Sequence, residues 1–139
     1  MISTNDIAYI AGLFDGEGSI QYKKYWEVKK KHKGPGTRKT HTWRIKMEMA
    51  MTDQDVIHWV HETLKVGTVR PKKVDPKNKK QWRWRCSFRD AYYVARLLWP
   101  YAKTKLHKIE QIIDHYSPDY VFEEKVVSLQ QYREAMNLE

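Results

Sequence analysis

Two carboxylates close one short stretch of this sequence, Asp15-Gly16-Glu17-Gly18, directly after the apolar run Tyr9-Ile10-Ala11-Gly12-Leu13-Phe14. Carboxylate oxygens are hard ligands, suited to Mg²⁺ or Mn²⁺. Metal ions bridged by paired carboxylates can activate a water, stabilise charge at phosphorus and assist a leaving oxygen. Phosphodiester hydrolysis needs all three. Two carboxylates on one short segment are by themselves a thin ligand set. An isolated Asp-x-Glu after a helix is also an ordinary solvated turn, so the surrounding residues must decide between the two.

Rival ligand and nucleophile sets are weaker. His58 and His61 stand three apart on a helical pattern with no further ligands. The single cysteine, Cys86, cannot make an internal disulfide or a thiolate metal site. Pro118-Asp119 followed by Glu123-Glu124-Lys125 superficially resembles the PD-(D/E)xK nuclease signature. Its gap is very short, however, and Glu123 onward reads as helix.

Composition narrows the partner. The chain has 139 residues, enough for one domain spanning 1–139 that buries roughly two-thirds of its unfolded surface. Lys and Arg number 26 against 17 Asp and Glu, a formal net charge of +9. Such an excess favours a polyanion, because basic clusters gain affinity by releasing counterions from phosphates. Plain solubility is the blander reading. No stretch reaches the ~18 apolar residues of a membrane span. The N-terminus lacks a basic leader pattern. An intracellular protein is expected, in cytoplasm, nucleoid or an organelle matrix, with no membrane partner and no small-molecule substrate.

The elements that must position the carboxylates follow from periodicity. Ile7, Ile10, Ala11 and Phe14 share one helical face, predicting a helix over Thr4 to Asp15 with a Ser3/Asp6 capping box. Tyr9 and Leu13 give it a second apolar side, which asks for a second packing partner. Alternation predicts a strand from Ser19 to about Tyr25. A basic turn over Lys29–Lys39 carries Gly34-Pro35-Gly36, and a return strand covers Thr40 to Met51. A Thr52/Asp55 box opens a second helix ending near Gly67. A third strand, Thr68 to Val74, contains Pro71, which suggests an edge position. The fourth strand, Gln81 to Phe88, puts Trp82, Trp84, Cys86 and Phe88 on one face. Helices then follow from Asp90 to Pro100, from near Tyr101 to Tyr116, and from Glu123 to Met136. Each hairpin has one apolar and one Lys/Arg-rich face. This implies a single antiparallel sheet, backed by helices on its apolar side and basic toward solvent or a ligand.

Residues 9–19, YIAGLFDGEGS, resemble the LAGLIDADG motif that names a family of homing endonucleases. Ile10 stands for the leading Leu, while Ala11, Gly12 and Leu13 match. Phe14 stands for Ile, and Asp15-Gly16-Glu17-Gly18 keeps the acid-small-acid-Gly ending. The resemblance implies an α+β fold with an αββαββα core over about residues 4–116. It implies a four-stranded antiparallel sheet that binds DNA, with C-terminal helices beyond. It also implies site-specific, metal-dependent double-strand cleavage, with Glu17 and Gly16 at the Mg²⁺ or Mn²⁺. One motif per chain implies a homodimer on a long, near-palindromic duplex, meeting through Ala8, Ala11, Gly12 and Asp15. Ala8, Gly12 and Gly16, four apart, would let two helices approach closely. Val66-Gly67-Thr68-Val69-Arg70 resembles the turn that opens the family's second hairpin. Pro100-Tyr101-Ala102-Lys103-Thr104-Lys105 resembles the stretch that carries a lysine into the active site; Lys105 fits the spacing first and Lys103 second.

Carried over, the DNA-reading face comprises Gln21, Lys23, Tyr25, Arg38, Thr40, Thr42, Arg44, Lys46, Glu48, Arg70, Lys72, Arg83 and Arg85. One departure stands out. Single-motif members often place a Gln at the end of the second strand to position water, and here that region reads Met49-Ala50-Met51-Thr52-Asp53-Gln54. That departure keeps a second expectation open: a non-cleaving binder on the same fold, such as an intron RNA maturase or a DNA-binding regulator.

Overall fold

The computed structural model describes residues 2–119. Ser3 opens the first helix, α1 (Thr4–Glu17), by accepting the Asp6 backbone N–H at 3.1 Å. This satisfies one of the donors that every helix start leaves over. Ile10, Ala11 and Phe14 form its buried face. Tyr9 stays 56% exposed and meets Trp59 edge-on, with ring centroids 5.5 Å apart. The helix runs past its expected end at Asp15, so Glu17 is its last residue.

Gly18 starts β1 (Gly18–Lys30), which pairs antiparallel with β2 (Thr37–Met51). A Cβ on Gly18 would collide with the Phe14 side chain and lie 2.6 Å from the Phe14 carbonyl oxygen. Its φ is an ordinary −82°. Glycine is needed here for close approach, not for a left-handed backbone. The hairpin is also longer than alternation suggests. Pairing continues to Lys30↔Thr37, so both ends of the basic segment expected as a turn are strand. Only residues 31–36 bend, where Gly34 and Gly36 take φ of 82° and 106°.

The second helix, α2 (Gln54–Leu64), is capped by Asp53, which accepts the Val56 N–H at 3.1 Å. The Thr52/Asp55 box is therefore displaced by one residue: Asp53 also has an N–H three positions ahead of it, and its carboxylate is the one used. Ile57, Val60 and Leu64 are buried as the stripe predicts. The helix ends on Lys65 in the left-handed region. At Gly67 (φ 89°) a Cβ would sit 2.6 Å from the Arg85 carbonyl oxygen, so the turn into β3 (Thr68–Lys72) requires glycine. That strand, with Pro71, lies at the sheet edge against β4 (Gln81–Ser87).

The strand order β1-β2-β4-β3 joins the two hairpins through β2 and β4. Ile45, Met47 and Met49 of β2 and Trp84 and Cys86 of β4 point into the core under the helices. Phe88, expected beside them, is 52% exposed at φ 53°, because the chain leaves the strand at Ser87 and turns into α3 (Arg89–Leu98). The last described helix, α4 (Leu106–Tyr116), starts later than Tyr101. The intervening residues are turns that press Trp99 and Ala102 into the core. Ile109, Ile112 and Ile113 complete that core. The helix expected over Glu123–Met136 and the Glu123-Glu124-Lys125 cluster lie outside the described residues. The architecture is α+β, an αββαββα core followed by α4. Among the described residues no helix is long and apolar enough to cross a membrane.

Candidate active site and nucleic-acid interface

Strand alternation and register decide what the outer face of the sheet presents. Ile45, Met47 and Met49 face the core, so Arg44, Lys46 and Glu48 face away. Pairing then sets Gln21 beside Lys46, Lys23 beside Arg44 and Tyr25 beside Thr42. It sets Glu48 beside Arg85, Arg70 beside Arg83 and Lys72 beside Gln81. Thr40 and Arg38 continue the row opposite Glu27 and Lys29. All thirteen residues expected on the reading face (Gln21, Lys23, Tyr25, Arg38, Thr40, Thr42, Arg44, Lys46, Glu48, Arg70, Lys72, Arg83, Arg85) therefore share one surface. Glu27 and Lys29 belong to it too. They join it because the first strand runs past its expected end at Tyr25.

Several of these side chains are held in place. Glu48 Oε2 accepts from Arg85 Nε at 3.0 Å, lies 2.9 Å from the same guanidinium's terminal nitrogen and 4.0 Å from Arg83 Nε. Partial burial pushes the Glu48 carboxyl up, but the Arg85 hydrogen bond and charge, with Lys46 and Arg83, hold it below the usual carboxylate range. Thr42 donates to Glu27 Oε2 at 2.9 Å. The Arg44 guanidinium lies over the Tyr25 ring, 5.0 Å from its centroid. The surface is a set of oriented polar groups, not a uniform positive field.

Glu17 stands at the head of this sheet, exposed, on the last residue of α1. The last turn of α1 contains no basic residue. Its carboxylate thus sits at the negative pole of the helix, where a cation would be stabilised. Carbonyl oxygens near a helix end lack intrahelical partners, and Gly16 beside Glu17 is exposed. A carboxylate with a neighbouring carbonyl is a hard-oxygen set that fits Mg²⁺ or Mn²⁺. Among the described residues no three His, Cys, Asp or Glu side chains come together in one chain.

Asp15, expected at a dimer seam, binds within its own chain. Its Oδ2 accepts the Lys103 backbone N–H at 2.8 Å and its Oδ1 accepts that of Lys105 at 3.1 Å. The carboxylate turns to its own chain and ties the lysine segment to the end of α1. Lys105 is half-buried just before α4, and Lys103 is exposed. Ala11 likewise departs from the expected dimer seam: it is 1% exposed, inside the core, with no surface to give a second chain. Ala8 is half-buried, and Gly12 is exposed with open space where a Cβ would stand. At the end of β2, Met51 pairs with Trp82, and Gln54 is the first residue of α2, 3.4 Å from His58 Nε2. No glutamine occupies the strand end.

No protein-family model matches the sequence, and no curated protein matches it. Solved structures do. The homing endonuclease I-CvuI in complex with its target aligns at a TM-score of 0.59 and 16% identity, covering 80% of this chain and 65% of that one. The archaeal intron-encoded homing endonuclease I-Vdi141I, complexed with DNA, aligns at 0.57 and 14%, covering 78% and 64%. This chain thus spans a little under two-thirds of the length of either protein. The homing endonuclease I-TnaI aligns at 0.54 and 16%, covering 90% of this chain and 83% of its own. At such identities the likeness is one of fold. The chain folds as the LAGLIDADG homing endonucleases do, with residues Ile10 to Glu17 forming the end of the helix and Gly18 opening the sheet.

Proposed function

We propose that this chain is a homodimeric, site-specific endonuclease that hydrolyses both strands of a long, near-palindromic DNA duplex with a divalent metal. The observation that carries the reading is positional: Glu17 ends α1 at the head of a sheet whose outer face gathers the basic and amide side chains into one surface. Glu17 and the Gly16 carbonyl would hold Mg²⁺ or Mn²⁺, which when bound supplies charge stabilisation at phosphorus and an acidified water. The chain's own residues do the rest. Lys105, with Lys103 second, places positive charge near the phosphate under attack. Arg, Gln and Glu of the sheet read base edges: Arg pairs with guanine, Gln with adenine, and Glu accepts from cytosine. Lys29 and the bend residues Lys31 and Lys33 hold phosphates and position without specifying. A second copy, meeting along Ala8, Gly12 and Gly16, supplies a second Glu17 and mirrors the two-fold symmetry of the site. The DNA complexes of I-CvuI and I-Vdi141I support a duplex substrate.

Met51 at the strand end, where a water-positioning amide is expected, favours one second reading: a binder on this fold that does not cut, an intron RNA maturase or a DNA-binding regulator. Incubating the protein with a randomised duplex library, with and without Mg²⁺, and sequencing the broken ends separates the two. Reproducible Mg²⁺-dependent double-strand cuts at one long site are expected; enrichment of bound sequences without cuts would favour the binder. Glu17→Gln should abolish cutting and leave duplex affinity within a few-fold. Cutting retained by that variant would remove Glu17 from the mechanism.

A further inference from the structure

The Lys103–Lys105 segment lies 88 and 90 positions along the chain from the carboxylate that binds it. We propose that Asp15 is a positioning residue: it clamps the backbone of this segment so that the lysine side chains start from a fixed point on the metal-bearing helix. The role in chemistry rests on the endonuclease reading above. The clamp itself stands on the geometry.

Asp15 is in the last turn of α1, where the helix dipole disfavours a carboxylate and no basic residue of that turn relieves it. Two backbone N–H groups compensate, one to each oxygen, through charge-assisted bonds of 2.8 and 3.1 Å. Both donors lie just ahead of α4, so the carboxylate also meets the positive pole of that helix. The clamped backbone continues without slack into α4: the Lys103 carbonyl accepts the Leu106 N–H at 3.3 Å and the Lys105 carbonyl accepts the Ile109 N–H at 3.0 Å. On the other side Ala102, 2% exposed, plugs the segment into the core. Lysine side chains are long and lose much rotamer entropy when ordered. Fixing their backbone removes the part of that search a flexible loop would add. Asp15 and Glu17 share one helix end, so one rigid element sets both the metal carboxylate and the lysine origin.

The test uses the full chain and Asp15→Asn, which preserves size but sets an amide NH₂ against one of the two N–H groups. Amide hydrogen exchange at Lys103 and Lys105 should quicken at least about tenfold, with Ile112 and Ile113 unchanged. Duplex affinity should stay within twofold, while single-turnover cleavage falls by about 100-fold, the scale of an ångström misplacement. Asp15→Asn on a Lys105→Ala background should add less than threefold, since both changes remove the same placed charge. Asp15→Glu, which keeps the charge on a longer arm, should recover part of the rate and serves as the second variant if the Asn form melts too readily. Unchanged exchange at both amides overturns the clamp. So does a wild-type cleavage rate in Asp15→Asn, or an effect that multiplies in full with Lys105→Ala, as a merely structural role would give. If the unaltered protein cuts no duplex, the endonuclease reading fails on its own and the exchange measurement still decides the clamp.

Discussion

Cys86 and Glu48 sit on opposite faces of the same stretch of sheet, and their surroundings move them in opposite directions. Glu48 is drawn down by Arg85 and its neighbours despite partial burial. For Cys86, burial and the charge of Asp90 outweigh a backbone hydrogen bond at Met47 and push the thiol up to about 12. The sign of the linkage is fixed by that rise. Below the ordinary thiol range, near 8.5, both folded and unfolded chains keep the proton and pH has no effect through this group. Above it the unfolded chain ionises and the folded one does not, so Cys86 contributes falling stability from about pH 8.5 toward 12. Thiolate is the reactive form. A disulfide reagent at pH 8 should therefore modify native Cys86 on the order of a thousandfold more slowly than the guanidinium-unfolded chain. Comparable rates in the two states would mean that the β4 face is not sealed. The sequence marks this residue as an inward position by its alternation with Trp82 and Trp84. It gives no sign of Asp90, whose approach depends on the turn at Phe88.

At the scale of elements, the junction between α1 and β1 carries the most information per residue. Gly18 has no left-handed backbone to excuse it; it is glycine because Phe14 lies where a Cβ would be. Gly18→Ala should cost about 1–3 kcal/mol, the range for overpacking, read as a lower urea midpoint with unchanged slope. A neutral substitution would mean that Phe14 has room to move. Most elements here were legible because their cause is local: the stripe of Ile57, Val60 and Leu64, the alternation around Met47, and Pro71 on the edge strand. What was not legible depends on partners distant in sequence. The hairpin outran its apolar alternation because cross-strand pairing carries it to Lys30↔Thr37, through residues whose side chains read as loop. The cap of α2 moved one residue because Thr52 and Asp53 compete for the same role. The bonds from Asp15 to the Lys103 and Lys105 amides were not legible either, because nothing in the motif points to a segment so far along the chain.

For the whole molecule, the proposed dimer turns on a cost the single chain does not explain. Glycine inside a helix destabilises it by about 1 kcal/mol relative to alanine. Gly12 has nothing within 4 Å of its would-be Cβ, so the fold of one chain does not require it. Gly16, in the last turn, is equally open. Ala8 completes the row, while Ala11, once counted with it, belongs to the core. A surface that keeps helix-weakening residues in open space fits a close helix–helix approach, with backbones nearer than larger side chains would permit. Gly12→Leu separates the two levels. In the isolated chain the leucine enters open space and gains helix propensity, so Tm at low concentration should hold or rise slightly. In the assembly it would stand between the helices. Sedimentation at micromolar concentration should show the unaltered chain as a dimer and Gly12→Leu as a monomer. The variant's double-strand cutting should vanish, because each half-site contact would then be made alone. A Gly12→Leu protein that remains dimeric would move the two-fold seam off this face of α1, and with it the meeting of the two Glu17 carboxylates.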